Sequence, residues 1–375
     1  MDHCIFVFVQ EIREERSYAA AVNALRHKES GPDFFAFSLR AVHKEPNLDM
    51  MEKRRFHYMS KITEKAINGL HQFLEEHGGA DSEEELQELL DQYMMEYNNS
   101  LRFQPPLSEA TAKTSNDWLE LAENADTAND ALRLARKSLS LDPNNYDAEL
   151  FILSLKNELP HIQLEQLNGL IEKATEHMKE SGHIPDDVGE FWMVHGTRPY
   201  IRLLAARMYA EKQSGMLIAA IRDAEEMIRL NKSDNMGIRM PLMSLYSLLL
   251  KETEAEALLE QFNQDGYVET GLFLPLSILY FRLGKLDRAK ETLLQLNEAN
   301  HDAKKFFRAV INNKLERYAD VNPEAGYRPN TIEEFIIFMQ EEPELLSQSA
   351  AYIMWADDVL KHQSGAKMKS RKKKR

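Results

Sequence analysis

The stretch "YIRLLAARMYAEKQSGMLIAAIRDAEEMIRL", residues 200–230, decides the fold. Apolar residues recur at intervals of three and four on both sides of Gly215, which is the pattern of two amphipathic helices joined by a tight turn. Two further pairs of helix-like segments follow, "IRMPLMSLYSLLL" (238–250) with "ETEAEALLEQF" (252–262), and "LFLPLSILYFRLG" (272–284) with "KLDRAKETLLQL" (285–296). The sequence therefore predicts three consecutive helical hairpins.

The hairpins recur at a nearly constant interval. With Ala220, Ala257 and Ala289 taken as equivalent, the repeats are 37 and 32 residues apart. These spacings bracket the period of about 34 residues that is typical of tetratricopeptide repeats. Gly215 and Gly284 each stand five residues before such an alanine. The middle hairpin lacks this glycine, so we expect its turn to be shorter.

The hairpins are expected to stack on one another. One hairpin cannot bury its own apolar face, whereas stacking contributes about 1.5 to 3 kcal/mol for each Leu or Ile that it encloses. An earlier hairpin is predicted within 117–155, where "SLDPNN" is a typical repeat ending. Stacking leaves the first helix of each pair on a concave face, which is the usual binding surface of a solenoid. We therefore expect a partner to bind there.

Glycine and proline are few, and no long alternation of apolar and polar residues requires a sheet, so the predicted fold class is all-α. The segment 98–117 is rich in Pro, Ser, Thr and Asn and marks a domain boundary. We predict an N-terminal helical region over 1–100, a tetratricopeptide-like α-solenoid over 115–362 and a disordered basic tail over 363–375. The segment "CIFVFVQ", 4–10, is compatible with a helix start or a lone strand.

Composition predicts a soluble, cytoplasmic protein. The 375 residues are 43% hydrophobic, which is enough for a large core. The longest apolar runs are far shorter than the roughly 20 residues of a membrane helix. Asp2 stands where a secretion signal carries Lys or Arg. Cys4 is the only cysteine, so no disulfide within the chain is possible.

Charge is distributed unevenly along the chain. The last nine residues, "KMKSRKKKR", hold seven of the 46 basic residues, which leaves 39 basic against 61 acidic residues, or −22, over 1–366. A solvated, disordered end is one interpretation of this tail. The other is contact with nucleic acid or another anionic partner, for which log affinity is expected to fall against log salt with a slope of roughly −6.

Three motifs between residues 186 and 262 resemble a family of bacterial tetratricopeptide-repeat proteins. They are "DVGEFW" (187–192), "TRPYIR" (197–202) and "EMIRLNKSDNMGIR" (226–239). The family is similar in this segment to the suppression-of-tumorigenicity family of animals, and the resemblance extends over roughly 115–345. Lys232 and Met236 stand where the family has proline and glutamine. The resemblance implies a helical repeat protein without established chemistry, and hence no cofactor.

The candidate binding site lies around two arginines. Arg198 and Arg202 are four residues apart and share one side of a helix, a geometry that suits gripping a carboxylate or phosphate. The predicted binding residues are Trp192, Arg198, Tyr200, Arg202, Asn235 and Arg239.

Each of these residues also has a structural interpretation. Asp186, Asp187 and Glu190 are close enough in sequence to form internal ion pairs with the arginines, and this pairing is the favoured interpretation. Trp192 is compatible with a core position. Asp234 or Asn235 is compatible with capping the helix that begins near residue 237.

The sequence contains no phosphate-binding loop, no His-Glu-x-x-His motif, no Gly-x-Ser-x-Gly motif and no paired cysteines. Its histidines are too sparse for a zinc site, and a carboxylate site at 186, 187 and 190 is the only enzyme alternative. We predict a non-enzymatic interaction protein that binds a peptide or protein segment and has no metal. Association with nucleic acid through the basic tail is the alternative.

Overall fold

A computed structural model describes residues 107–156, 158–312, 314–318 and 327–373, together with scattered positions between 73 and 96. These residues are mostly α-helical, and no β-strand occurs among them. None of the described helices has both the length and the apolar character needed to cross a bilayer. Apart from the scattered positions, the predicted N-terminal helical region lies outside the described residues.

The contacts divide the chain into two compact units between Ala210 and Glu211, within the domain predicted for 115–362. The first unit contains α1 (Ser115–Glu123), α2 (Ala128–Leu141), α3 (Tyr146–Leu155), α4 (Pro160–Glu180), α5 (His183–Asp186) and most of α6 (Arg198–Gln213). The second unit contains the end of α6, then α7 (Leu217–Leu230), α8 (Arg239–Leu248), α9 (Glu252–Phe262), α10 (Thr270–Arg282), α11 (Leu286–Ala299), α12 (Ala303–Ile311), α13 (Ile332–Glu341), α14 (Pro343–Ser347) and α15 (Ala350–Lys373).

From residue 107 onward, the first two helices of the first unit, α1 and α2, form a hairpin. Thr114 and Asp117 form a capping box at the start of α1: the Thr114 hydroxyl accepts from the Asp117 N–H at 3.1 Å, and the Asp117 carboxylate accepts from the Thr114 N–H at 2.9 Å. The two helices pack together through a small apolar cluster that includes Ala122 and Ala135. This arrangement agrees with the hairpin predicted within 117–155.

The turns from α6 to α7, α8 to α9 and α10 to α11 share one geometry. Each turn is three residues long, and its middle residue, Gly215, Leu250 or Gly284, has a φ of 74°, 59° or 74°. The next N–H donates to the carbonyl five residues back, at 2.8, 2.9 and 2.8 Å, as in a Schellman motif. The prediction of a shorter middle turn is wrong, because Leu250 adopts the left-handed conformation that glycine adopts in the other two.

The structure also corrects the alignment of the repeats. Ala220, Ala255 and Ala289 each lie four residues after the N-cap of a second helix, and all three are 0% exposed. Their spacings are 35 and 34 residues. Ala257, which the sequence alignment used, is exposed on α9. The corrected register matches the tetratricopeptide period of about 34 residues more closely than the predicted one.

Exchanging glycine and leucine at these turns should change stability in opposite directions. We expect Leu250→Gly to raise the free energy of unfolding of the second unit by about 0.5 kcal/mol. Glycine removes the strain of the left-handed conformation, and this gain is larger than the cost of the conformational entropy that glycine adds to the unfolded chain. The reverse change, Gly284→Leu, should lower it by about 1 kcal/mol, although no atom lies within 4 Å of the added Cβ. Chemical denaturation followed by fluorescence in a Trp118→Phe, Trp192→Phe background, which leaves Trp355 as the only tryptophan, measures both. Changes of the same sign would contradict the strain argument.

The end of the second unit has an aromatic core. The Phe306 ring on α12 stacks on the Phe335 ring of α13 with centroids 4.7 Å apart, and Phe307 and Tyr352 adjoin them. α15 continues to Lys373, so it includes most of the segment 363–375 that was predicted to be disordered. The alanine, lysine and arginine residues of this segment have high helix propensities.

Candidate functional site

Arg198 is held against the segment that precedes α6. Its side chain is among the most buried in the described chain, at 1% exposure. Its Nε donates to the Trp192 carbonyl at 2.6 Å, and its guanidinium lies 5.1 Å from the centre of the Trp192 ring. Trp192 itself is 8% exposed. The structure therefore brings these two predicted residues together, but as a buried contact within the chain.

Arg202 forms a bidentate ion pair with Asp147. Its Nε and Nη2 donate to the two carboxylate oxygens at 2.7 and 2.6 Å, and both side chains are less than a tenth exposed. The pair joins α6 to the first turn of α3. Arg202 therefore forms an internal ion pair, but its partner is Asp147, whereas Asp187, one of the predicted partners, contacts His183 at 2.6 Å.

Tyr200 is also a core residue. It is 4% exposed, and its hydroxyl shares a hydrogen bond with the Thr175 hydroxyl of α4 at 3.0 Å. Its ring lies 6.1 Å from that of Phe191, which is fully buried. These contacts anchor α6 on the rest of the first unit.

The turn before α8 is organised by Asp234. Its carboxylate accepts from the N–H groups of Ile238 at 2.7 Å and Arg239 at 3.0 Å, so the predicted capping role is observed. The same carboxylate contacts the Arg239 guanidinium at 2.9 Å, and Arg239 also donates to both oxygens of Glu269 at 2.9 and 2.8 Å. The Asn235 amide oxygen is buried without a hydrogen-bond partner.

The first helices α8 and α10 of the second unit are buried along most of their length. Every residue of Pro241–Leu248 and of Thr270–Tyr280 is buried, as expected for helices that are covered on all sides. α14 packs against α8, and α13 and α15 pack against α10. A partner that bound this predicted inner face would have to displace the chain's own C-terminal helices.

An accessible groove of about 660 Å³ opens between α9 and α11. Its walls come from α9 and the residues after it, with one residue each from α10 and α11: Glu256, Leu259, Glu260, Asn263, Gln264, Tyr280 and Arg288. None of these residues was in the predicted site.

A network of fixed polar side chains forms one wall of the groove. The Arg288 guanidinium lies 4.1 Å from the Tyr280 ring centre, donates to the Tyr280 hydroxyl at 2.8 Å and contacts Glu256 at 2.6 Å and Glu252 at 2.8 Å. Burial, together with the Glu256 carboxylate, raises the pKa of the Tyr280 phenol well above its usual range. The phenol therefore stays protonated and donates to Glu256 at 3.0 Å.

Tyr280 was absent from the predicted site, although the sequence contains a pattern that indicates its position. Tyr246 and Tyr280 are 34 residues apart and occupy the same place in consecutive first helices. Each donates its hydroxyl to a glutamate on the preceding second helix, to Glu225 at 2.8 Å and to Glu256 at 3.0 Å. A polar-tipped aromatic that recurs with the repeat period marks where neighbouring hairpins meet.

Among the described residues, no three potential metal ligands lie close enough together to hold an ion. The side chains of 363–375 are outside that set. Nucleic-acid contact through the basic tail and a cytoplasmic location therefore stay predictions.

Comparison with known proteins does not identify a family for this chain. Neither a protein-family model nor a curated protein matches the sequence. Among solved structures, the crystal structure of the MamA protein aligns with a TM-score of 0.36 and 16% identity, over 51% of this chain and 94% of that one. Nothing about function is transferred at this level of similarity. The predicted all-α fold of repeated hairpins is confirmed by the described helices, while the specific family resemblance stays a prediction.

Proposed function

We propose that this protein is a non-enzymatic interaction protein that binds a polypeptide segment in the groove between α9 and α11. The observation that carries the proposal is the groove itself, a surface between two repeat helices that the described residues of the second unit leave accessible. The six residues predicted from the sequence form buried contacts or a turn, so they position helices rather than meet a partner. A partner that bound the inner face, which is formed by α8 and α10, would have to displace α13, α14 and α15.

The walls of the groove suit a polypeptide. Leu259 offers an apolar contact, and Glu260 and Gln264 offer exposed polar groups at the rim. The Arg288 and Tyr280 side chains are already fixed by each other and by Glu256, so little rotamer freedom is lost when a ligand contacts them. A peptide is the class of ligand that uses such mixed apolar and polar contacts along a helix pair.

Blocking the groove should weaken peptide binding at least about tenfold, which corresponds to about 1.4 kcal/mol. Peptides of twelve residues would be selected from a random library against the wild-type protein. Their Kd would then be measured by fluorescence anisotropy for wild type and for the double variant Glu260→Arg, Gln264→Arg. Both positions are exposed, so the fold should survive, and circular dichroism checks this.

The matched control is Glu165→Arg, Gln163→Arg on α4, which makes the same chemical changes in the first unit. It should leave the Kd unchanged. Equal binding to both double variants would place the peptide site elsewhere. Recovery of no binding peptide at all would count against a polypeptide ligand.

A further inference from the structure

The positive charge in the α9–α11 groove is already balanced by the chain's own carboxylates. Among the described residues that line the groove, Arg288 is the only basic one. It contacts Glu256 at 2.6 Å and Glu252 at 2.8 Å and donates to the Tyr280 hydroxyl at 2.8 Å. An acidic ligand would have to compete with both glutamates for this guanidinium.

The groove also contains hydrogen-bond acceptors that the chain itself does not use. Glu260 is exposed on the groove wall, and its carboxylate has no ion pair or hydrogen bond among the described residues. The side-chain amide oxygen of Asn263, which also lines the groove, is buried without a hydrogen-bond partner. A ligand that donates hydrogen bonds would satisfy these two groups, because a carboxylate and an amide oxygen can only accept.

The end of α9 is an electrostatically favourable place for a cation. Glu260 lies in the last turn of α9 and Asn263 is its C-cap, and this turn contains no basic residue. The C-terminal end of a helix carries the equivalent of about half a negative charge, which acts within the last turn. The helix dipole and the Glu260 carboxylate therefore attract a positive group to the same point.

The surface around the groove is acidic as well. The segment 252–298, which contains α9, α10 and α11, has nine acidic and four basic residues. A second depression, on α11, is lined by the exposed side chains of Asp287, Glu291 and Glu298, and Lys290 is the only basic residue in its described lining. Such a surface attracts cationic ligands and raises their local concentration.

We propose that the segment bound in the α9–α11 groove is basic. A lysine or arginine side chain of the partner lies beside Glu260 and Asn263, and a neighbouring apolar side chain contacts Leu259. One such cation can reach both acceptors, because an ammonium group has three donors and a guanidinium group has five. This assignment rests on the proposed function, since it gives the chemistry of the ligand for the same groove.

Pools of synthetic peptides test the charge of the ligand. Each pool of twelve-residue peptides has Lys, Gln or Glu fixed at one position and a random mixture at the others. Fluorescence anisotropy with the full-length wild type gives an apparent Kd for every pool. At the preferred position, the Lys pool should bind about threefold more tightly than the Gln pool, and the Glu pool should bind most weakly.

Glu260→Gln identifies the carboxylate that selects the cation. This substitution keeps the size of an exposed side chain and removes its charge, so the fold should be unchanged. It should weaken binding of the Lys pool about threefold and leave the Gln pool unchanged, because an uncharged side chain does not interact with the lost charge.

The matched control is Glu298→Gln. It removes the same charge from an exposed glutamate that lies outside the groove on α11. Because salt screens charges more than about 8 Å apart, binding of the Lys pool should not change.

The outcomes separate the charge of the ligand from the use of the groove. If the Gln or Glu pools bind as tightly as the Lys pools, and Glu260→Arg, Gln264→Arg abolishes this binding, the groove binds polypeptides but not basic ones. Equal effects of Glu260→Gln and Glu298→Gln on the Lys pool would show that only the net charge matters, and would also overturn the assignment. If no pool binds, or if binding survives in the double variant, both the basic ligand and the proposed function are wrong.

Discussion

Replacing Asp147 by alanine is expected to lower the free energy of unfolding of the first unit by about 3 to 5 kcal/mol. The change leaves the Arg202 guanidinium buried without the carboxylate that now meets it at 2.7 and 2.6 Å. Moving the Arg202 charge out of water costs free energy, and in the wild type the buried Asp147 carboxylate offsets this cost. Without the carboxylate, most of the cost remains. The ion pair also joins α6 to α3, so its loss weakens the packing of two helices at once.

Two further variants distinguish the cost of leaving a buried charge unpaired from the cost of losing a contact. Asp147→Leu combined with Arg202→Met replaces the pair by apolar side chains of similar size and should recover most of the lost stability. Glu109→Ala breaks the Arg133–Glu109 pair in the same unit, where both side chains are more than half exposed, and should cost much less stability because solvent screens the pair.

Chemical denaturation followed by fluorescence measures these changes. In a Trp355→Phe background, the remaining tryptophans, Trp118 and Trp192, both lie in the first unit. A loss in Asp147→Ala no larger than that in Glu109→Ala would show that burial of Arg202 does not carry this energy. A double variant that is no more stable than Asp147→Ala would point to shape, rather than charge, as the cause.

Local features of the fold were readable from the sequence because they depend on residues close together in the chain. Helix periodicity placed the hairpins between residues 200 and 296. The capping of α8 by Asp234 follows from its position four and five residues before the two N–H groups that donate to its carboxylate. The left-handed Leu250 was missed because glycine is the usual signal for that conformation. Without a glycine at this position, the sequence predicts too short a turn between α8 and α9. The repeat alignment therefore uses Ala257, two residues away from the equivalent residue, Ala255.

The partners of the predicted site residues could not be predicted from the sequence, for a different reason. Arg198 and Arg202 were correctly placed on one helix, but their role depends on partners from other elements, such as Asp147, which is 55 residues away from Arg202. A spacing of four residues indicates that two arginines share a helix face, and it does not indicate whether that face meets solvent or another helix.

The burial of the inner helices α8 and α10 also depends on contacts between residues that are distant in sequence. The Tyr352 hydroxyl, for example, donates to Ser277 at 2.9 Å across 75 residues. The continuous apolar character of "LFLPLSILYF" within α10 was the one available hint, because a helix that is apolar on every side belongs in a core rather than on an open face.

Replacing Asp234 by alanine should lower the free energy of unfolding of the second unit by about 3 kcal/mol, through three separate losses. Asp234 has a φ of 46°, which Asn and Gly tolerate better than Ala, and this strain costs about 1 kcal/mol. The carboxylate caps α8 through two N–H groups, and loss of such a cap costs about 1 to 2 kcal/mol. Arg239 also loses one of its two carboxylate partners.

Three substitutions at Asp234 separate the contributions of backbone strain, helix capping and charge. Asp234→Asn keeps the cap acceptor and the tolerance of a positive φ, so it should cost least, about 1 kcal/mol, which reflects the lost charge on Arg239. Asp234→Gly removes the cap and the charge without the strain and should be intermediate, while Asp234→Ala should be the most destabilising. Denaturation monitored by fluorescence in a Trp118→Phe, Trp192→Phe background, in which only Trp355 of the second unit remains, gives the order. An alanine variant as stable as the asparagine variant would mean that neither the cap nor the positive φ at Asp234 affects the stability of this turn.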